Sequence, residues 1–271
     1  MKIIAEIGWN HMGDMNLAEK MISSASQAGA NIVKFQYWDP CYLKPGAWDN
    51  DGRREIYNKA CLSEDKINQL IGFSEKYDCE FLISVFGTIG AKFIFELGQT
   101  SIKIPSHETV NTKLIEYCSQ NFEHVYFSAG ASTEKEIIKA VDILKNGSAS
   151  FTLMHCVSSY PCDDNKVNLK RLDWLSRLHS ELGYSDHSSS KIIPSLSCMY
   201  GAKVIEKHFT VDSNLPGRDN KFAFEPHDFA AMVKNIHIAE RALIDHGRNY
   251  QDIESDTFEN YRGRWEPHDY E

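Results

Sequence analysis

The chain has 271 residues, 42% of them hydrophobic and 25% charged, and its 38 Asp and Glu against 29 Lys and Arg leave a formal charge of −9. This is the composition of an ordinary globular domain with enough chain for a large core, and it excludes disordered, collagenous and coiled-coil classes. An acidic balance without a Lys/Arg cluster argues against a nucleic-acid partner, and no stretch approaches the roughly 18 consecutive apolar residues of a membrane span.

In chain order, Lys2–Gly8 predicts a buried strand. A helix follows over about Asn16–Ala28, where Leu17, Met21, Ile22 and Ala25 recur at helical spacing and Gly29 ends it. Asn31–Phe35 reads as the second strand and, after an irregular stretch, Glu64–Tyr77 as a helix. The pair repeats as Glu80–Ser84 with Ile89–Leu97, Ser101–Ile104 with Asn111–Asn121, and Val125–Ser128 with Thr133–Leu144. Phe151–Cys156 with Val167–Leu178, Leu182–Ser185 with Lys191–Tyr200, and Lys203–Phe209 with Pro226–Asp245 complete the series. Eight strand–helix units demand a parallel sheet with helices outside it, and their number and length match a closed (β/α)8 (TIM) barrel of about 250 residues. An open doubly wound sheet would need a glycine-rich phosphate turn after the first strand, and Gly8-Trp9-Asn10-His11 is not one.

Residues 1–250 are therefore expected as one barrel domain and 251–271 as a polar, aromatic-spotted tail. Tyr37–Ser63 is far longer than an ordinary strand-to-helix loop, as lids and binding loops are. The seven cysteines are odd in number, scattered and without a C-x-x-C pair, so reduced thiols are expected. The N-terminal MKIIAEIGWN lacks a basic region followed by an apolar core, and the cytoplasm is the expected compartment.

In a barrel, chemistry gathers where strands run into loops at the C-terminal face. Sorted by that rule, Glu6 interrupts the first strand, Lys34 and Gln36 end the second, Ser84 ends the third, and Lys103 lies inside the fourth with Ser106 and Glu108 just beyond. Ser128 ends the fifth; His155, Ser158 and Tyr160 follow the sixth; Ser185, Asp186 and His187 follow the seventh; Lys207 and His208 close the eighth. Lys34 and Lys103, read as neighbours and surrounded by strand-end hydroxyls, describe an anion site, because desolvated ammonium groups need negative charge opposite them. His187 and His208 follow consecutive strands, and two neutral imidazoles on one rim can hold a divalent ion once a carboxylate or waters complete its shell; Mn2+ or Mg2+ suits such a site. Glu6, Glu108 and Asp219 are candidate acid/base or hydroxyl-binding groups, with a Glu6–lysine pair inside the barrel as the structural alternative.

These residues carry a likeness. The chain resembles the N-acetylneuraminate (sialic acid) synthase family through Ala5-Glu6-Ile7-Gly8-Trp9-Asn10-His11, Gly29-Ala30 leading to Lys34-Phe35-Gln36, and Ile102-Lys103-Ile104-Pro105-Ser106. The likeness continues through Ser128-Ala129-Gly130, Tyr160-Pro161, Gly183-Tyr184-Ser185-Asp186-His187, Glu206-Lys207-His208-Phe209-Thr210 and Pro216-Gly217-Arg218-Asp219. The resemblance implies an enzyme that condenses phosphoenolpyruvate with an N-acyl amino sugar aldehyde, giving a 2-keto-3-deoxy sugar acid and phosphate. It implies phosphoenolpyruvate binding by Lys34, Ser84, Lys103, Ser106, Ser128, Ser158 and Ser185, and metal binding by His187 and His208. Sugar contacts and proton handling fall to Glu6, Gln36, Glu108, Tyr160 and Asp219.

Three positions depart from the family's usual pattern. Asp219-Asn220 stands for Asp-His, Ser158 for asparagine, and Ser128-Ala129-Gly130 for Ser-Thr-Gly. They leave the anion and metal sites intact and imply a different or smaller acceptor. Family chains usually continue into a small antifreeze-like domain that reaches over a partner subunit. This sequence ends at Glu271, near the expected linker, so a barrel without that domain is expected, with a homodimer or a separate cap-domain protein as partner. Two other readings compete: a Schiff-base aldolase using Lys34 or Lys103, and a non-catalytic barrel that binds a ligand or partner.

Overall fold

The computed structural model describes residues 1–265, and the last six residues of the expected tail lie outside them. Eight parallel strands pair in sequence order and close on themselves: β1 Lys2–Gly8, β2 Ile32–Tyr37, β3 Glu80–Val85, β4 Ser101–Ile104, β5 His124–Ser128, β6 Ser150–Cys156, β7 Leu182–Asp186 and β8 Ala202–His208. The closed barrel answers the alternating pattern of the sequence, and the doubly wound alternative falls. Outside it lie α1 Met15–Gln27, α2 Arg53–Ala60, α3 Glu64–Lys76, α4 Thr88–Glu96, α5 Thr112–Asn121, α6 Glu134–Asn146, α7 Arg171–Leu175, α8 Ile193–Leu196 and α9 Pro226–Ala242.

Local chemistry sets the helix ends. Asp14 caps α1 by accepting from the backbone N–H of Asn16 and Leu17, and Thr133 with Glu136 closes a reciprocal capping box on α6. Gly29 stops α1 at φ +96°, and a Cβ there would come within 3.0 Å of Val233 on α9. The helices after β6 and β7 are shorter than their apolar patterns suggest, because those patterns run on through irregular turns and a short 3-10 segment at Ser197–Tyr200. One helix was not foreseen: α2 lies in the long stretch after β2, where only Ala60 is buried and no apolar stripe marks it.

Most of the core lies between barrel and helices, where every other strand residue points outward. Inside the barrel, a plug of Ile4, Ile32, Leu82, Tyr126, Met154 and Val204 fills one level. Two residues further along each strand, toward the C-terminal end, the inward positions become polar. Tail residues 251–265 are exposed apart from a half-buried Ser255, and Phe258 stacks on Tyr250 with ring centroids 4.0 Å apart.

Candidate active site

The polar level above the plug is built by strand parity. Glu6, Lys34, Ser84, Ser128 and Glu206 each stand one inward position beyond a plug residue of their own strand, and with Lys103 and Ser185 they line a single cavity of about 870 Å³ at the C-terminal face. Register brings them together: Glu6 is level with Lys34 on one side and His208 on the other, Ser84 with Lys103, and Ser185 with Glu206. A bulge between Glu6 and Gly8 re-aims the end of β1. Gly8 sits at φ +55°, and a Cβ there would approach both the Glu6 carboxyl and the Gln36 amide within 3.1 Å, so glycine leaves room for that contact.

Lys34 and Lys103 are not on adjacent strands. They stand on β2 and β4 with β3 between, and both reach inward to Glu206. Lys103 Nζ lies 2.7 Å from Glu206 Oε2, Lys34 Nζ 3.6 Å from Glu206 Oε1, and Lys34 Nζ 2.7 Å from Glu6 Oε2. The Gln36 amide donates to Glu6 at 2.5 Å and the Ser185 hydroxyl to Glu206 at 2.9 Å. The ammonium groups therefore already face protein carboxylates, so a ligand anion would share them with Glu6 and Glu206. The Glu6–lysine pair foreseen as the structural alternative is present.

The two carboxyls are not equivalent. Burial pushes Glu206 up, but Lys103 and Lys34 together overcome it and hold it well below the usual carboxylate range. Burial dominates at Glu6 and, with Glu206 adding repulsion, raises it despite Lys34. Burial lowers Lys34, but Glu206 and Glu6 outweigh it and the net is upward; Lys103 is lowered by burial and by Lys34, which Glu206 does not offset. Glu6, paired with Lys34, is thus the carboxyl drawn toward its neutral form, while Glu206 is held ionised between the two lysines.

Hydroxyls continue the site. Ser106, on the turn after β4, accepts from the Gly130 N–H at 3.0 Å, while the Ser128 hydroxyl is buried without a partner. Glu108 accepts from the Asn111 amide at 2.6 Å and is raised by burial. Among the residues given a binding or catalytic role by the resemblance, Ser158 alone does not line the cavity. Its hydroxyl lies behind Gly130, where a Cβ would meet Ser158 and Ser106 at 2.7 Å each.

His187 and His208 stand side by side at the rim with ring centroids 5.4 Å apart. His187 Nδ1 donates to the Val157 carbonyl at 3.0 Å, which fixes its tautomer and leaves Nε2 for another partner. His208 Nδ1 is buried without a hydrogen bond, 3.8 Å from Asp219 Oδ2. Burial lowers His208 well below its ordinary value, with His187 and Lys34 adding, so its imidazole is neutral. Burial pushes the Asp219 carboxyl up to about 7. Among the described residues no group of three or more His, Cys, Asp or Glu gathers around one point, so a divalent ion here would have two imidazole ligands and take its remaining partners from substrate and water. Two adjacent imidazoles, His208 neutral and His187 oriented by a backbone carbonyl, fit such an ion. Burial lowers His187, but the neighbouring Cys156 outweighs it and the net is upward, so an ion would have to displace any proton there. The Tyr160 ring covers the pair, its centroid 4.3 Å from His187 and 6.0 Å from His208.

Three residues placed at the rim by sequence face the other way. His155 points out of the barrel, donates from Nε2 to the Val167 carbonyl at 2.7 Å and stacks on Tyr184; Asp186 and Lys207 likewise face the helices. Conversely, sequence reasoning missed Glu206 and Cys156. Counting back two residues from His208 along a strand finds the first. Cys156 is one step past the outward-facing His155 and so faces in, its Sγ 3.8 Å from His187 Nδ1.

Comparison with known proteins adds a lineage to this geometry. The family model described as "NeuB family" matches residues 21–248. The N,N'-diacetyllegionaminic acid synthase of Legionella pneumophila is 33% identical over 258 residues, covering 89% of this chain and 72% of that protein. The human N-acetylneuraminate-9-phosphate synthase is 29% identical over 256 residues, covering 89% of this chain and 70% of the relative. A crystal structure of the N-acetylneuraminic acid synthetase of Leptospira borgpetersenii, in complex with citrate, superposes with a TM-score of 0.87 at 33% identity, covering 95% of this chain and 90% of that one.

Proposed function

Because the chain belongs to the NeuB family, we propose that its cavity joins phosphoenolpyruvate to the aldehyde of an N-acyl amino sugar, releasing phosphate and a 2-keto-3-deoxy sugar acid. The observation that carries this reading is convergence: two lysines, four serine hydroxyls and an adjacent histidine pair line one cavity of about 870 Å³, roomy enough for both substrates. Lys34 and Lys103 would exchange part of their pairing with Glu6 and Glu206 for the carboxylate and phosphate of phosphoenolpyruvate. Ser84, Ser106, Ser128 and Ser185 add donors around it.

The acceptor lies toward the rim against Gln36, Tyr160 and Asp219. Carbon 3 of phosphoenolpyruvate bonds to the aldehyde carbon, and the positive character left on carbon 2 is quenched by water. The resulting tetrahedral centre then expels phosphate. One proton must reach the new alkoxide and one must leave the attacking water. Glu6 and Glu108, both raised by burial, are carboxyls that can hold a proton and release it. His187 and His208 would hold a divalent ion such as Mn2+ or Mg2+, which supplies Lewis acidity toward the aldehyde oxygen when bound. Holding both substrates in register supplies much of the remaining acceleration.

The seven cysteines are all unpaired, which supports a reducing, cytoplasmic setting. A second copy of the chain is the partner proposed at the mouth. An aldolase working through a Schiff base needs a neutral lysine, and Lys34, held upward by two carboxylates, is poorly suited. Lys103 is lowered by burial though paired with Glu206, and borohydride trapping with a keto substrate would separate that reading from the synthase. The test is phosphate release over a panel of N-acyl hexosamines and simple aldoses, with and without added metal. Release is expected only when both substrates are present, and the His208→Ala variant is expected to lose all metal-dependent turnover while keeping its circular dichroism. A wild-type metal response in that variant would remove the histidine pair from the mechanism.

A further inference from the structure

The loop between β8 and α9 carries Arg218 and Asp219 to the cavity, and the next residue does not follow them. Asn220 is fully buried and does not line the cavity. Asp219-Asn220 is one of the three departures from the family's usual pattern, yet an asparagine so placed cannot touch an acceptor.

Its side chain touches the loop instead. The Thr210 hydroxyl donates to Asn220 Oδ1 at 2.5 Å, and Asn220 Nδ2 donates to the Pro216 carbonyl at 2.9 Å. A carbonyl can only accept, so the Pro216 oxygen takes the amide's NH2 side and leaves its oxygen to the hydroxyl. Thr210 is fully buried as well, and its hydroxyl accepts from the Asp212 N–H at 3.3 Å. The ends of the loop are tied beside His208. The Phe224 N–H donates to the His208 carbonyl and the Thr210 N–H to the Phe224 carbonyl, both at 2.9 Å. The Asn10 amide adds a third tie by donating to the Phe209 carbonyl at 2.9 Å. A loop with close ends, cross-braced by its own buried side chains, presents one shape to the cavity.

Asp219 is the group that this shape delivers. Its Oδ2 stands 3.8 Å from His208 Nδ1, and the carboxyl faces the buried Trp9 indole N–H. Neither nitrogen completes a hydrogen bond of good geometry, so these neighbours do not hold the carboxyl in place. Its position is inherited from the backbone, and the backbone's from the brace of Thr210, Asn220 and Pro216. A neutral imidazole also offers one acceptor and one donor, so an asparagine in place of the usual histidine can keep the brace. We propose that Asn220 and Thr210 are positioning residues, which act on the reaction by fixing Asp219 between His208 and Trp9. The inference rests on the synthase reading only for what Asp219 does once it is placed.

The Trp9 indole N–H reports where Asp219 sits, with or without turnover. In proton–nitrogen correlation spectra of the full chain, the Trp9 indole cross-peak is assigned by its loss in Trp9→Phe. Asp219→Asn is expected to move it, and Asn220→Ala and the isosteric Thr210→Val are expected to move it at least half as far. Thr210→Ser, which keeps the hydroxyl, should leave it near the wild-type position. In turnover, Asn220→Ala should lower kcat about 10- to 100-fold, the cost of a misplaced group, while phosphoenolpyruvate affinity by calorimetry stays within about twofold. Added to Asp219→Asn, the same substitution should cost less than about threefold more, because the group it places is already gone. The proposal falls if the cross-peak ignores Asp219→Asn, if it ignores both brace variants, if the losses in turnover are additive, or if both brace variants fail to fold. A wild type that releases no phosphate with any acceptor sinks the synthase reading alone, since the cross-peak needs no turnover.

Discussion

β7 and β8 carry charged residues on both faces, and the two faces are finished differently. On the outer face Asp186 and Lys207 are register partners, with Lys207 Nζ 2.5 Å from Asp186 Oδ2. Lys207 also donates to the Ser188 carbonyl and lies 4.0 Å from the centre of the Phe224 ring. Asp186 accepts from the Tyr184 hydroxyl at 2.6 Å and from the Ser188 hydroxyl at 3.0 Å. Each group there is answered by protein. On the inner face Glu206 is divided between two lysines on other strands, and His208 Nδ1 is buried with no hydrogen bond. Burial of charge alone thus does not mark a site; hydrogen-bonding capacity left over beside a cavity does.

The contrast breaks most directly with one pair of variants. Lys207→Met strands Asp186 in a sealed environment, and urea unfolding is expected to show a loss of about 3–5 kcal/mol. Its kcat/KM at 25 °C should stay within tenfold, since neither partner touches the cavity. Lys103→Met leaves Glu206 beside the cavity with Lys34 still 3.6 Å away, so water and a second cation soften the loss to below about 2 kcal/mol. Phosphoenolpyruvate binding is expected to fall about 100-fold, roughly 2.7 kcal/mol of lost ionic contact. Equal destabilisation by the two substitutions would mean that the inner level is as closed as the outer one.

The same parity explains how much could be read in advance. The strand–helix series and the inward set Glu6, Lys34, Ser84, Lys103, Ser128 and Ser185 follow from local periodicity, which the barrel preserves. Glu206 was equally available by counting from His208, whereas His155, Asp186 and Lys207 were placed at the rim by chain position without asking which face they occupy. The pairing of Lys34 and Lys103 through Glu206 was out of reach, because it joins strands two, four and eight across the barrel. So was the packing of Trp9, Trp38 and Tyr57 against one another. α2 has no apolar stripe to announce it, and Trp38 meets Tyr57 through a contact that only the folded loop creates.

Buried histidines outside the cavity sharpen the comparison further. His11 and His155 are fully buried, and burial lowers both to about 4. Between about pH 6.5 and 4 the unfolded chain therefore binds one more proton at each than the folded chain does, so stability rises with pH across this window and is lost as pH falls. Each histidine contributes up to about 3 kcal/mol of that loss. His155→Gln keeps a donor for the Val167 carbonyl but cannot take a proton. Urea midpoints at pH 7 and pH 4.5 should show the variant losing less stability than the wild type on acidification. Identical losses would mean that water reaches His155 in the fold.

The smallest expected effect concerns the boundary of the inner site. Ser106 and Ser158 approach Gly130 equally closely, yet only Ser106 faces the cavity and accepts the Gly130 N–H. Ser158 contributes instead to packing behind the glycine, 3.8 Å from the Cys156 sulfur. Removing the Ser106 hydroxyl should raise the KM for phosphoenolpyruvate about tenfold, the worth of one hydrogen bond to a charged group. Removing that of Ser158 should change it less than about threefold, since the lost contact is to the Cys156 sulfur and not to the anion. The ratio between the two variants is the informative quantity, because both remove the same atom from the same corner. A ratio near one would place Ser158 on the anion, and that requires the segment after β6 to shift toward the cavity when phosphoenolpyruvate binds.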